Sequence, residues 1–138
     1  MNKNLLKPNR FLFYLAVEIL VVLIVTMLFR IFSENIKLAA VLAGSLFCTF
    51  PVVLLLLEYR ISKAQFKIWI FSLLFFLIFF AIPMLAMRLL HWNEDFQSIQ
   101  IWGLPGPAFH KLSRWGFIAV LSTTMVAILQ ENRLPKKS

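Results

Sequence analysis

FLFYLAVEILVVLIVTMLFRIF, residues 11–32, is an apolar stretch with a single carboxyl group, Glu18, in its first half. At 1.5 Å of helix rise per residue, about 20 residues cross the ~30 Å hydrocarbon core of a bilayer, so this one stretch is long enough to span it. Three more follow, at 36–57, 66–90 and 112–130. Together they predict an all-α integral membrane protein: four transmembrane helices in an antiparallel bundle, forming one domain over residues 1–138. An interfacial extracytoplasmic loop at 91–111 joins helices three and four.

Composition points the same way. Of the 138 residues 61% are hydrophobic and 14% charged, and the mean hydropathy is +0.84, which leaves too little polar surface to cover a soluble monomer. The net charge of +8 would suggest nucleic acid in a soluble chain. Here the cations cluster at the ends of alternate spans. Lys3, Lys7 and Arg10 precede the first, Arg60, Lys63 and Lys67 lie between the second and third, and Arg133, Lys136 and Lys137 follow the fourth. With four spans these nine share one side, against five on the other (Arg30, Lys37, Arg88, Lys111, Arg114). The positive-inside rule then places both termini in the cytoplasm, expected here at a bacterial inner membrane. No direct contact with nucleic acid is expected, because basic runs with stacking aromatics are missing outside the spans. The charged N-terminus is not read as a secretory leader, since its apolar run is too long and no small-x-small cleavage pattern follows.

Glu18 is the residue that most needs a reason. A carboxyl group about seven residues into a span costs on the order of 2 to 3 kcal/mol or more on insertion scales, so it should face protein or water. Counting inward from the cytoplasmic ends puts Thr49, Ser72, Ser122, Thr123 and Thr124 within about a turn of its depth. An intramembrane polar layer drawing on all four helices is expected. Pro51 frees the carbonyl of Phe47 near the same level, and only a protonated Glu18 could donate to such acceptors. Two readings follow: a hydrogen-bonded device that fixes how helices or subunits pair, and a proton or cation coupling site in a transporter. The first is preferred.

Other helix signals concern packing. Ala40 and Gly44, with Ala39, Ala43 and Ser45, make small-xxx-small pairs in the second span that let backbones approach closely, within the monomer or between subunits. Phe66, Phe71, Phe75, Phe76, Phe79 and Phe80 encircle much of the third, and Pro83 should bend it. Ser33 and Asn35 are expected to cap helix ends at the first turn, and Ser62 the third helix. Cys48, the only cysteine, reads as a small buried residue.

The 91–111 segment carries Trp92 and Trp102, with Trp115 just beyond, and Trp favours the headgroup level. Gly103, Pro105, Gly106 and Pro107 are expected to break regular structure and turn near Leu104 to Pro107. The loop reads as a lid over the helix ends, or more sharply as a site for an extracytoplasmic ligand. His91, Glu94, Asp95 and His110 are weak metal-ligand candidates by spacing. No nucleophile triad, P-loop or dinucleotide pattern appears, so no catalytic residue, cofactor or metal is expected.

Arg10, Arg60, Lys63, Lys67 and Arg133 form a cytoplasmic cationic face suited to anionic lipid headgroups or a cytosolic protein partner. The leading expectation is a non-enzymatic membrane subunit that self-associates and anchors, or senses for, a partner. In architecture it resembles the four-spanning membrane component of Kiwa antiphage systems and immunity proteins against pore-forming bacteriocins, which implies a role in bacterial defence or immunity. The alternatives are a small transporter or channel subunit and a membrane-interfacial enzyme. Small multidrug resistance proteins are similar in size, span number and first-helix glutamate. Their first-helix pattern of small and aromatic residues is absent around Glu18, which is flanked by Leu15, Ala16, Val17, Ile19 and Leu20.

Overall fold

The computed structural model describes residues 10–62 and 67–133. Four helices in it are long and apolar enough to cross a membrane. The first is α1 (Arg10–Ile31) and the second α2 (Ile36–Ser62). The third span comprises α3 (Ile68–Phe76), a π-helical turn (Leu77–Ala81) and α4 (Ile82–Leu90). A short hairpin of β1 (Gln100–Ile101) and β2 (Leu104–Pro105) precedes the fourth, α5 (Gly106–Arg133).

Asn35 caps α2 as its sequence position suggests: its Oδ1 accepts from the Leu38 N–H at 3.1 Å and its carbonyl from the Ala39 N–H at 3.1 Å. Ser33 is exposed in the turn. Pro51 stays inside an uninterrupted α2, whereas Pro83 is preceded by the π turn. There the Ile82 N–H reaches back five residues to the Leu77 carbonyl. The wider turn makes room for the Pro83 ring, which in a regular α-helix meets the carbonyl four residues earlier. The expected bend at Pro83 therefore takes the form of one extra residue in a turn.

α5 begins at Gly106, six residues ahead of the expected start at 112. Gly106 and Pro107 open the helix where they were expected to interrupt it. A proline in the first turn loses nothing by lacking an N–H, because those N–H groups have no partner within the helix. The tight turn lies earlier, at Trp102 and Gly103, whose φ angles of +54° and +77° suit a two-residue hairpin connection. Ile101 pairs with Leu104 and Gln100 with Pro105. The Gly106 N–H then bonds the Ile99 carbonyl at 2.8 Å, tying the hairpin to the start of α5. Ile99, Ile101 and Phe109 are buried beneath this cap.

The core is aromatic at mid-height, where Phe47, Phe50, Phe76 and Phe117 from α2, α3 and α5 meet with ring centroids 5.5 to 6.3 Å apart. Small residues admit close approach: Gly44 lies against Leu85 of α4, and Gly116 against the Phe80 ring. Gly44 of the small-residue face of α2 is thus used for packing within the chain. Phe71, Phe75 and Phe79 stay on the outside of the third span.

A Cβ added at Gly106 would stand 2.4 Å from the Phe96 carbonyl oxygen, whereas one at Gly103 would meet nothing within 4 Å. Gly106→Ala is expected to destabilise the folded chain by about 1 to 3 kcal/mol through overpacking. Gly103→Ala should cost about 1 kcal/mol through its backbone angle alone. Unfolding midpoints of the purified variants in detergent should rank wild type, Gly103→Ala, Gly106→Ala.

Candidate functional site

One face of α1 carries Arg10, Tyr14, Glu18 and Val22 at four-residue spacing, one above the next at about 6 Å of rise. Along this stripe the bundle changes from ionic to polar to hollow.

At the level of Arg10 the start of α1, the last turns of α2 and α5 and the residue before α3 meet. We call this the terminal end, and the end bearing the hairpin the loop end. Glu58 of α2 is 1% exposed. It accepts a 2.9 Å hydrogen bond from the Tyr14 hydroxyl and pairs with Arg10 at 3.5 Å. Glu131 of α5 sits between Arg10 at 3.8 Å and Lys67 at 3.6 Å. Both cations lie over the Phe11 ring, at 4.7 and 4.9 Å from its centroid, within cation–π range. Phe11 and Tyr14 pack on Trp69, which is fully buried.

Arg10 and Lys67 are therefore held in a set of two cations and two carboxylates that is neutral as a whole. Only Arg60 and Arg133 of the expected cationic face stand exposed at this end among the described residues; Lys63 lies outside them. Glu58 and Tyr14 escaped sequence reading. The signals were there: Glu58 is an acid beside a basic helix end, and Tyr14 falls midway between Arg10 and Glu18.

One turn further in, Glu18 is wholly buried. Its Oε1 lies 2.8 Å from Thr124 Oγ1, which is also 2.9 Å from the Val120 carbonyl oxygen. One hydroxyl proton serves one acceptor at full strength. Thr124 therefore shares its hydroxyl between the Glu18 carboxyl oxygen and its own helix. Glu18 Oε2 is buried with no hydrogen-bond partner among the described residues. Beside this pair, Ser72 Oγ and Thr123 Oγ1 are 2.6 Å apart and link α3 to α5.

The polar layer is thus narrower than expected. Thr49 and Ser122 are exposed on the bundle surface and bond their own helix, to the carbonyls of Ser45 and Ile118. The layer joins α1, α3 and α5, and α2 contributes its polar groups elsewhere.

Above Glu18 the helices part around a cleft of about 640 Å³ bounded by all four spans. Val22 and Leu121 line it within one turn of Glu18 and Thr124, and Arg88, His110 and Arg114 line it toward the loop end. Ala40 and Gly44 form part of its α2 wall. Over the loop end, Arg88 stacks on Phe96, its guanidinium carbon 3.5 Å from the ring centroid. Trp92, Trp102 and Trp115 are exposed, with the Trp102 ring 6.4 Å from that of Phe79. Pro105 lies in β2 and Pro107 in the first turn of α5.

The candidate metal or acid–base residues of this region are not brought together as a group. His91 Nδ1 contacts Glu94 Oε1 at 2.7 Å, while His110 belongs to the cleft. Among the described residues no group of three or more His, Cys, Asp or Glu side chains converges.

Glu58→Ala would remove a carboxylate that both Arg10 and Tyr14 address in a buried site. A loss of about 3 kcal/mol is expected, against about 1 kcal/mol for Tyr14→Phe. Reversible unfolding in mixed micelles measures both. A Glu58→Ala change no costlier than Tyr14→Phe would mean that this charge set does not hold the end together. No protein-family model, curated protein or solved structure matches the chain, so the purpose of the arrangement has to be read from its own geometry.

Proposed function

We propose that the chain is a non-enzymatic subunit of a bacterial inner membrane, with four antiparallel spans and both termini in the cytoplasm. In this reading it self-associates and acts as anchor or sensor for a partner protein. The observation that carries it is that the cleft is confined to one half of the bundle. It lies among the loop-end halves of the spans, and below it the Glu18–Thr124 pair, the Phe11–Tyr14–Trp69 packing and the Arg10–Glu58–Glu131–Lys67 set fill the bundle. A hollow that stops short of the other end suits a receptor better than a conduit. The filled end also offers an exposed surface for a cytosolic partner, with Tyr59, Arg60 and Arg133 on it. The outward aromatic face, where Phe75 and Phe79 stack at 4.7 Å, supplies apolar area for self-association in the membrane. A setting in bacterial defence or immunity belongs to the same proposal and rests on architectural resemblance.

The second reading, a transporter coupled through Glu18, draws support from one feature: the Oε2 of Glu18, which has no hydrogen-bond partner among the described residues, lies about a turn below the cleft floor. Glu18→Gln separates the two, because the amide oxygen can still accept from Thr124. We expect this variant to keep its fold and oligomeric state within about 1 kcal/mol and to keep its partner. Crosslinking in mild detergent, followed by weighing of the complex, should find one soluble protein in fixed ratio, released by Arg60→Glu with Arg133→Glu. A lone oligomer that moves protons or solutes in vesicles, and stops when Glu18 becomes Gln, would replace this reading by the transporter.

A further inference from the structure

The cleft has the dimensions and chemistry of a binding site. Its volume of about 640 Å³ is typical of pockets that seat small molecules. Its walls are mainly apolar, with Val25, Phe47, Phe80 and Phe117 among them. Polar character gathers at the loop end, where His110 is within electrostatic reach of both Arg88 and Arg114. No Asp or Glu belongs to the described lining. Neither arginine has a carboxylate within ion-pair distance among the described residues, although Asp95 faces Arg88 from the loop. Two guanidinium groups at one end of an apolar cleft whose described lining holds no carboxylate call for an anionic head on an apolar tail.

Depth decides what kind of tail. From His110 to Leu121 the α5 wall of the cleft rises about 16 Å, close to half of the ~30 Å hydrocarbon thickness. That is the reach of one leaflet, with the cationic groups where headgroups begin. Phe96 stacks on one face of the Arg88 guanidinium, and a stacked guanidinium donates to a phosphate from its edge rather than its face.

We propose that the cleft binds an anionic phospholipid from the leaflet at the loop end, one acyl chain lying between the spans and the phosphate held by Arg88, His110 and Arg114. The site goes beyond the partner reading and needs only that the spans sit in a bilayer.

The test is retention of lipid by the full-length chain, purified in mild detergent and titrated with phosphatidylglycerol, phosphatidylcholine or glycerol phosphate, with bound lipid counted by native mass spectrometry. Phosphatidylglycerol should be retained at least about tenfold more tightly than phosphatidylcholine, and glycerol phosphate, which lacks the chains, should not be retained. Arg88→Gln with Arg114→Gln should weaken phosphatidylglycerol retention at least about tenfold. Lys37→Gln with Lys111→Gln, exposed cations that do not line the cleft, should leave it unchanged. If the first pair does not yield folded protein, Ala40→Phe must still abolish retention, since it fills the cleft and spares both arginines. Equal retention of phosphatidylcholine, retention of glycerol phosphate alone, or indifference to Ala40→Phe would each overturn the proposal.

Discussion

At one end of an apolar bundle a buried carboxylate, Glu58, is held by Arg10 and Tyr14, and through Arg10 and Glu131 the same set reaches the other helices. Four apolar helices in lipid gain little from hiding apolar surface, because the acyl chains are as apolar as the side chains. What fixes such helices is shape and the few polar groups that lipid cannot satisfy. Here α1 supplies Arg10 and Tyr14, α2 Glu58, α5 Glu131, and Lys67 precedes α3, so a single ionic cluster touches every span. Its carboxylates are matched by cations and its cations are covered by Phe11. The same arrangement fills the bundle at that end, and the hollow lies in the other half.

The rest of the interior follows from where this filling stops. Glu18 and Thr124 form the last polar step, and above them Ala43, Gly44 and Ala81 leave space that larger side chains would have filled. The hollow is therefore a product of small residues placed between bulky ones, with Phe47, Phe76 and Phe117 as its walls. Cationic side chains toward the loop end give it a direction. A bundle built in this way has one filled half and one hollow half, and the polar pair lies where the two meet.

Much of this was legible in the residues themselves. Span number follows from hydropathy and length, the burial of Glu18 from the cost of a carboxyl group within a span, and the shared level of Glu18, Thr124, Ser72 and Thr123 from depth counting. Depth carries no information about direction around a helix, which is why Thr49 and Ser122, at a suitable level, turn out to face outward. Charge counting erred in a related way: Arg10 and Lys67 read as free cations because their partners, Glu58 and Glu131, lie in other spans, far along the chain. The start of α5 was misplaced because Gly106 and Pro107 disrupt a helix interior but suit its first turn. The cleft had no signature in the sequence at all, since its wall residues are spread over four segments.

The π turn at Leu77–Ala81 has a consequence for how this chain tolerates change in length. A π turn takes up one residue more than a regular turn by widening, so the helices before and after it keep close to the phase of a continuous helix. Leu85 meets Gly44, and Arg88 reaches both the hollow and Phe96, in that phase. Losing one residue between 77 and 81 would leave these faces nearly where they are, but it would bring the Pro83 ring against the carbonyl four residues before it. The extra residue in this segment therefore spares the proline a clash while the contacts on either side of it keep their register.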